Sequence, residues 1–242
     1  MYREHPTTPE EAFQGATEGK IYGALMLKLR RQGRIVTELP FERRIPVDTT
    51  WDLGKGAHNA IWLHQYIQME GMHRWLWFLQ SHRQDGRLSE DLGDNSPSDH
   101  VASLEALRSE HGFVWGKHYL PHDIVVSDWS AEHGETRQDI LEGLGLTNIQ
   151  VVDRIPEIGL GIAKTEQILT SSVFSEKGCA AGIRHLEHYR WEWNERLEAF
   201  DRSKPVPDQA SHGADAIRQL AQEWLAEPKK STKQRKRNWR SS

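Results

Sequence analysis

Cysteine is nearly missing from this sequence: Cys179 stands alone in 242 residues. A single thiol excludes an internal disulfide and any zinc site built on cysteines, and it suits a reducing compartment. No apolar run approaches the roughly 20 residues needed to cross a bilayer, and the amino terminus lacks a signal-peptide pattern. These absences read as a soluble, intracellular chain with no membrane partner. A G-x-x-x-x-G-K-[ST] phosphate loop is missing, so these residues hold no motif of an ATP motor. HExxH is missing as well, and GLGIAK around Gly159 and Gly161 does not match a dinucleotide fingerprint. Acids are missing from the end of the chain. After Glu227 come seven bases, from Lys229 to Arg240, leaving 24 basic against 35 acidic side chains in the body, about −11. Residues 228–242 therefore read as a basic, disordered tail suited to nucleic acid or an acidic protein surface.

What is present is enough for a folded globular domain, with 37% hydrophobic residues and ten tryptophans. Residues 1–33 read as an extended, proline-bearing lead-in followed by a helix, in which Ile21, Leu25 and Leu29 recur at four-residue steps and Gly33 closes the run. Residues 34–227 read as one α/β domain. Its first part, RIVTELPFERRIPVDTTWDLGKGAHNAIWLHQYIQMEGMHRWLWFLQSH, alternates β-branched and aromatic residues with polar ones in three runs, broken at GKGAHN and EGM. The pattern predicts three consecutive antiparallel strands. Trp75 and Trp77 are expected on one face of the third. Downstream, SDHVASLEALRSEHG, ETRQDILEGLG and PEIGLGIAKTEQILTSS read as helices, while DIVVSD and IQVVDRI read as strands. GCAAGIRHLEHYRWEWNERLEAF reads as one long helix, DRSKPVPDQ as a loop, and SHGADAIRQLA as the start of the last helix. Three antiparallel strands and two more, alternating with helices, predict a mixed sheet covered by helices on both faces. Reactive groups in such sheets gather at strand ends and neighbouring helix termini.

Three acids stand out by position. Asp52 lies inside the first strand beside Trp51 and Leu53. Asp123 is expected to start the fourth strand. Asp215 is expected in the first turn of the last helix, with His212 three residues before it on the same face. Each has a plain structural reading: a solvent-facing edge residue, a turn residue, a partner of the helix dipole. Together, oxygen ligands at strand and helix ends suit Mg²⁺ or Mn²⁺, and two such ions support phosphodiester hydrolysis. Gly213 and Ala214 are expected to leave room for ion and phosphate.

YREHPTTPEEAF, TTWDLGKGAHNAIWLHQ, HYLPHD, RIPEIGLGIAKTEQIL and PVPDQASHGADAIRQLA, taken in order, give the chain a resemblance to the carboxyl-terminal nuclease domain of phage large terminase subunits. The resemblance runs from about residue 2 to residue 226. It implies an RNase H-like fold and a divalent-metal-dependent endonuclease that cuts concatemeric double-stranded DNA with low sequence specificity during genome packaging. It also implies an excised nuclease domain, working with a terminase ATPase domain, the portal and the small terminase subunit in the cytoplasm of an infected bacterium. By motif it implies that Asp52, Asp123 and Asp215 hold two Mg²⁺ or Mn²⁺ ions, with His212 as an auxiliary ligand and Asp208 as an outer or capping acid. Where many members carry another acid after WDLG, this chain reads Gly56-Ala57-His58.

An acidic body is an uncommon partner for DNA, whose backbone calls for positive surface. Lys55, Arg137 and Lys164 are the expected contacts, with Arg43, Arg44 and the tail in reserve, and weak non-specific binding is expected. Two other readings remain: a non-catalytic module that docks on DNA or the portal, and a different RNase H-like nuclease such as a junction resolvase.

Overall fold

The computed structural model describes residues 17–53, 58–81, 83–84, 87–88, 96–126, 135–154 and 157–225. Lys55, the 228–242 tail and most of the lead-in lie outside the described residues.

The three antiparallel runs form as the alternation predicts. They are β2 (Val47–Leu53), β3 (Asn59–Ile67) and β4 (Met72–Ser81), with Gly71 at positive φ in the second connection. They are the centre of a seven-stranded mixed sheet ordered β1-β9-β4-β3-β2-β7-β8. β7 (Trp115–Pro121) and β8 (Ile149–Val152) add in parallel beyond β2, and β9 (Ser172–Ser175) and β1 (Ile35–Val36) add in parallel beyond β4. β1 and β9 are too short for periodicity to separate them from loops. A two-stranded ribbon, β5 (Arg83–Gln84) with β6 (Arg87–Leu88), follows β4.

The fourth strand differs from expectation. It ends at Pro121, and DIVV forms a single 3-10 turn, His122–Val125. Proline supplies no N–H to extend the ladder, and Val125 and Val126 are exposed instead of buried. Asp123 therefore follows the carboxyl end of β7 and does not begin a strand.

Helices cover both faces, each over its own core. α2 (Pro97–His111) and α3 (Arg137–Gly143) each start on a capping box, at Ser96 and Thr136. Their Leu104 and Leu141 pack with Trp51, Ile61, Leu63 and Leu76. On the other face lie α1 (Gly23–Arg31), α4 (Ile158–Thr170), α5 (Glu176–His188) and α6 (Gln209–Trp224). Their Met26, Leu169, Ile183 and Ile217 pack around Trp62, Trp75 and Phe174.

Trp75 and Trp77 do not share a face. A bulge between Leu63 and His64 leaves Leu76 without a cross-strand partner. The register slip sends Trp75 to the α6 side and Trp77 to the α2 side, where it stacks on Phe113. The long helix after Gly178 is shorter than its pattern suggests. It stops at His188, and Trp191–Asn194 (β10) pairs with Ala199–Pro205 (β11) as an antiparallel hairpin. The aromatic and β-favouring WEWN run overrides helical continuation, and the stretch expected as a loop is its second strand. No helix among the described residues is long and apolar enough to cross a membrane.

Candidate active site

Asp52 owes its direction to β2. Trp51 is fully buried on the α2 side, so its neighbours Thr50 and Asp52 must point to the opposite face, where α6 lies. The Thr50 hydroxyl donates to the Ala216 carbonyl at 2.5 Å, which ties that strand to α6. α6 can approach because its inner side is small: Ala214, Ala216 and Ala221 are buried, and Trp62 Nε1 donates to the Gly213 carbonyl at 2.8 Å. Gly213 faces α5, where a Cβ would stand 2.7 Å from His185 Nδ1. Gly213 and Ala214 thus serve helix packing.

Asp208 is the N-cap of α6 and accepts from the Ala210 N–H at 3.0 Å. It also pairs with Arg190 at 2.6 Å. The helix thus begins at Gln209, earlier than SHGADA suggests, and Asp215 falls in its second turn, beyond the strongest influence of the dipole.

The two elements bring Asp52 and His212 together. His212 Nδ1 donates to Asp52 Oδ2 at 2.7 Å, with both side chains mostly buried. Asp215, one turn along α6, is held by Arg218 Nη2 at 3.1 Å and receives a long 3.5 Å contact from the Tyr189 hydroxyl. His58 stacks on His212, with ring centroids 5.4 Å apart and planes 6° from parallel.

The charges are mutually dependent. Burial lifts the Asp215 carboxyl to about 6; Arg218 and His212 pull it down, and Asp52 pushes it up. Burial opposes the charged imidazole of His212, but the hydrogen bond and charge of Asp52, aided by Asp215 and Asp208, outweigh it and raise its pKa. Two carboxylates thus stand beside His212 and Arg218, an environment that suits a bound cation or an acid–base role.

Asp123 follows the carboxyl end of β7, the strand that runs beside the β2 of Asp52. Asp123 is exposed in the 3-10 turn, and it is not among the principal charges acting on Asp215 or His212. Among the described residues, no three His, Cys, Asp or Glu side chains are gathered closely enough to hold an ion. Arg137 is the first residue of α3, and Lys164 donates to the Leu225 carbonyl at 3.3 Å. No motif singles out His58, Tyr189 or Arg218. Arg218 alone has a local signal, the three-residue step from Asp215.

No protein-family model and no curated protein matches this chain. Solved structures do. The large terminase of a thermophilic bacteriophage superposes with a TM-score of 0.56 at 15% identity, over 81% of this chain and 43% of that one. The same terminase in complex with ATP-gamma-S gives 0.55 at 17% identity, over 84% and 45%. This chain thus spans less than half of those proteins. The P22 large terminase nuclease domain gives 0.56 at 13% identity over 86% of this chain and 94% of that domain. The chain therefore has the RNase H-like fold of large terminase nuclease domains.

Proposed function

We propose that this chain is a divalent-metal-dependent endonuclease that hydrolyses phosphodiester bonds of double-stranded DNA with little sequence preference. The observation that carries the reading is the pairing of Asp52 with His212 at 2.7 Å, beside Asp215, on the fold of a terminase nuclease domain. The donor chemistry fits a hard cation: two partly buried carboxylates lie on one face of the sheet, and burial, with the charge of Asp52, lifts the pKa of Asp215 to about 6. Asp52 and Asp215 would hold Mg²⁺ or Mn²⁺, with Asp123 as the third acid of a two-ion site and His212 as a helper. When bound, such ions lower the pKa of water and neutralise charge on phosphoryl oxygens.

The residues of the chain supply the rest. Asp52 fixes the His212 ring with its Nδ1 proton bound, leaving Nε2 to accept a proton from water or return one to a leaving oxygen. Arg218 and Tyr189 hold Asp215 in place. The Asp52 and His212 side chains keep 18% and 23% of their surface open to solvent, which leaves an approach for a strand of duplex. We further propose that the whole protein acts in DNA packaging in the cytoplasm of an infected bacterium, with an ATPase domain, a portal and a small subunit as partners.

Supercoiled plasmid tests this with wild type, Asp215→Ala and Asp123→Ala, in Mg²⁺ and in Mn²⁺. Loss of nicking in both variants, with circular dichroism unchanged, is the expected result. No cleavage by wild type in either ion would favour a docking module.

A further inference from the structure

A polar hollow lies beside Arg218, the partner of Asp215. It encloses about 220 Å³ between α4 and α6, at the carboxyl ends of β7 and β8. Arg218, Arg154 and His122 line it, with Gln219 and Gln222 as neutral donors and Glu157 as its one acid. Even with His122 neutral, the formal balance is positive, inside a body that is acidic overall.

Arg218 is built into this hollow. Its stem lies against Gly161, where a Cβ would come within 2.7 Å of Arg218 Cδ. Nη2 is committed to Asp215, while Nη1 is buried with no hydrogen-bond partner among the described residues. A guanidinium carries five donors in a fixed fork shaped for a bidentate oxyanion. An unpaired buried donor is unfavourable, and a small shift of the side chain toward an anion in the hollow would relieve it. Arg154, exposed and without an ion-pair partner among the described residues, also lines the hollow.

We propose that this hollow is a phosphate-binding site in which Arg218 and Arg154 grip a backbone phosphate of the DNA strand next to the one cut. It rests on the nuclease reading for the identity of the ligand, and it assigns contacts other than Lys55, Arg137 and Lys164. Arg218 then links the two sites, one nitrogen on Asp215 and the rest of its fork on the neighbouring phosphate. The volume is ample for one phosphate group.

The test is binding without cleavage. A fluorescein-labelled 20-base-pair duplex is titrated with the full chain in EDTA at 50 mM salt, and anisotropy is read for wild type, Arg218→Lys, Arg218→Gln, Arg154→Gln and Lys177→Gln. Removing one cation that grips a phosphate weakens binding about tenfold at this salt and lowers the salt slope by about one. That is the expected change for Arg218→Gln and for Arg154→Gln, and Lys177→Gln, at an ion pair with Glu38 outside this hollow, binds as wild type does. Arg218→Lys retains the charge on Asp215 and gives up the fork, so it guards against misfolding and should still bind several-fold more weakly. Wild-type affinity in Arg154→Gln and Arg218→Lys overturns the proposal. Inorganic phosphate is added at constant ionic strength to separate the sources. If it stabilises wild type but does not displace duplex, the site takes free phosphate and the DNA assignment fails. Because no metal is present, inactivity in Mg²⁺ and Mn²⁺ would refute the nuclease reading while leaving these binding results to decide the site.

Discussion

Acidification should destabilise this protein steeply between pH 7 and pH 5, above the range where ordinary carboxylates protonate. His73, His100 and His118 are each at most 4% exposed, and burial lowers each pKa from 6.5 to about 4. His64, fully buried with neither ring nitrogen hydrogen-bonded among the described residues, is lowered well below 6.5 by burial and by nearby His73. A histidine held neutral in the folded state takes up its proton only on unfolding. Its contribution is fully present above pH 6.5 and is lost as pH falls toward the folded value. From pH 7 to pH 5, a shift from 6.5 to about 4 removes about 1.8 kcal/mol per group, so these three remove about 5 kcal/mol. Asp215 works in the opposite direction. Its carboxyl, raised to about 6, relieves about 1 kcal/mol as it protonates over the same interval. The net loss of about 4 kcal/mol is a large part of a typical folding free energy of 5–15 kcal/mol. Urea denaturation followed by tryptophan fluorescence at pH 7, 6 and 5 measures it. His73→Phe keeps an aromatic ring among Tyr66, Trp75 and Trp224 and should remove about 1.8 kcal/mol of the pH dependence. A stability that is flat or rising between pH 7 and pH 5 would refute the reasoning.

Core and cap substitutions have separate expectations. Trp62→Ala removes a fully buried ring that contacts Trp75, Phe78 and Phe174, and should cost about 4 kcal/mol in the same denaturation assay at pH 7. Gly213→Ala sets a methyl against His185 and should cost about 2 kcal/mol, visible as a lower Tm. Asp208→Ala loses the N-cap of α6 and should cost about 1 kcal/mol, with little added by its half-exposed Arg190 pair.

Periodicity made the central sheet legible because β2, β3 and β4 are long and each has a wet or helix-covered side that shapes its pattern. It failed where tertiary context decided. β1 and β9 are two and four residues long, and the WEWN run looks helical until its partner strand is known. The bulge at Leu63 and His64 is invisible to a two-residue repeat, so the opposite burial of Trp75 and Trp77 could not be read from spacing. In the candidate site, motif wording pointed to Asp52, Asp215 and His212, which do lie on facing elements. Geometry adds what wording lacked: the 2.7 Å hydrogen bond, the stacked His58 ring, and Arg218 on Asp215. His58 is reached because β3 runs antiparallel along β2 and α6 lies over both, a consequence of tertiary structure that no local pattern encodes.

The most direct test of the central claim is cleavage of supercoiled plasmid in Mn²⁺ by wild type and by Asp52→Asn. The substitution keeps the shape and an acceptor for His212 but removes the negative charge a cation needs. Nicked and linear products from wild type, abolished by EDTA and absent in a folded Asp52→Asn, are what the account predicts. Wild-type cleavage rates in Asp52→Asn would contradict it.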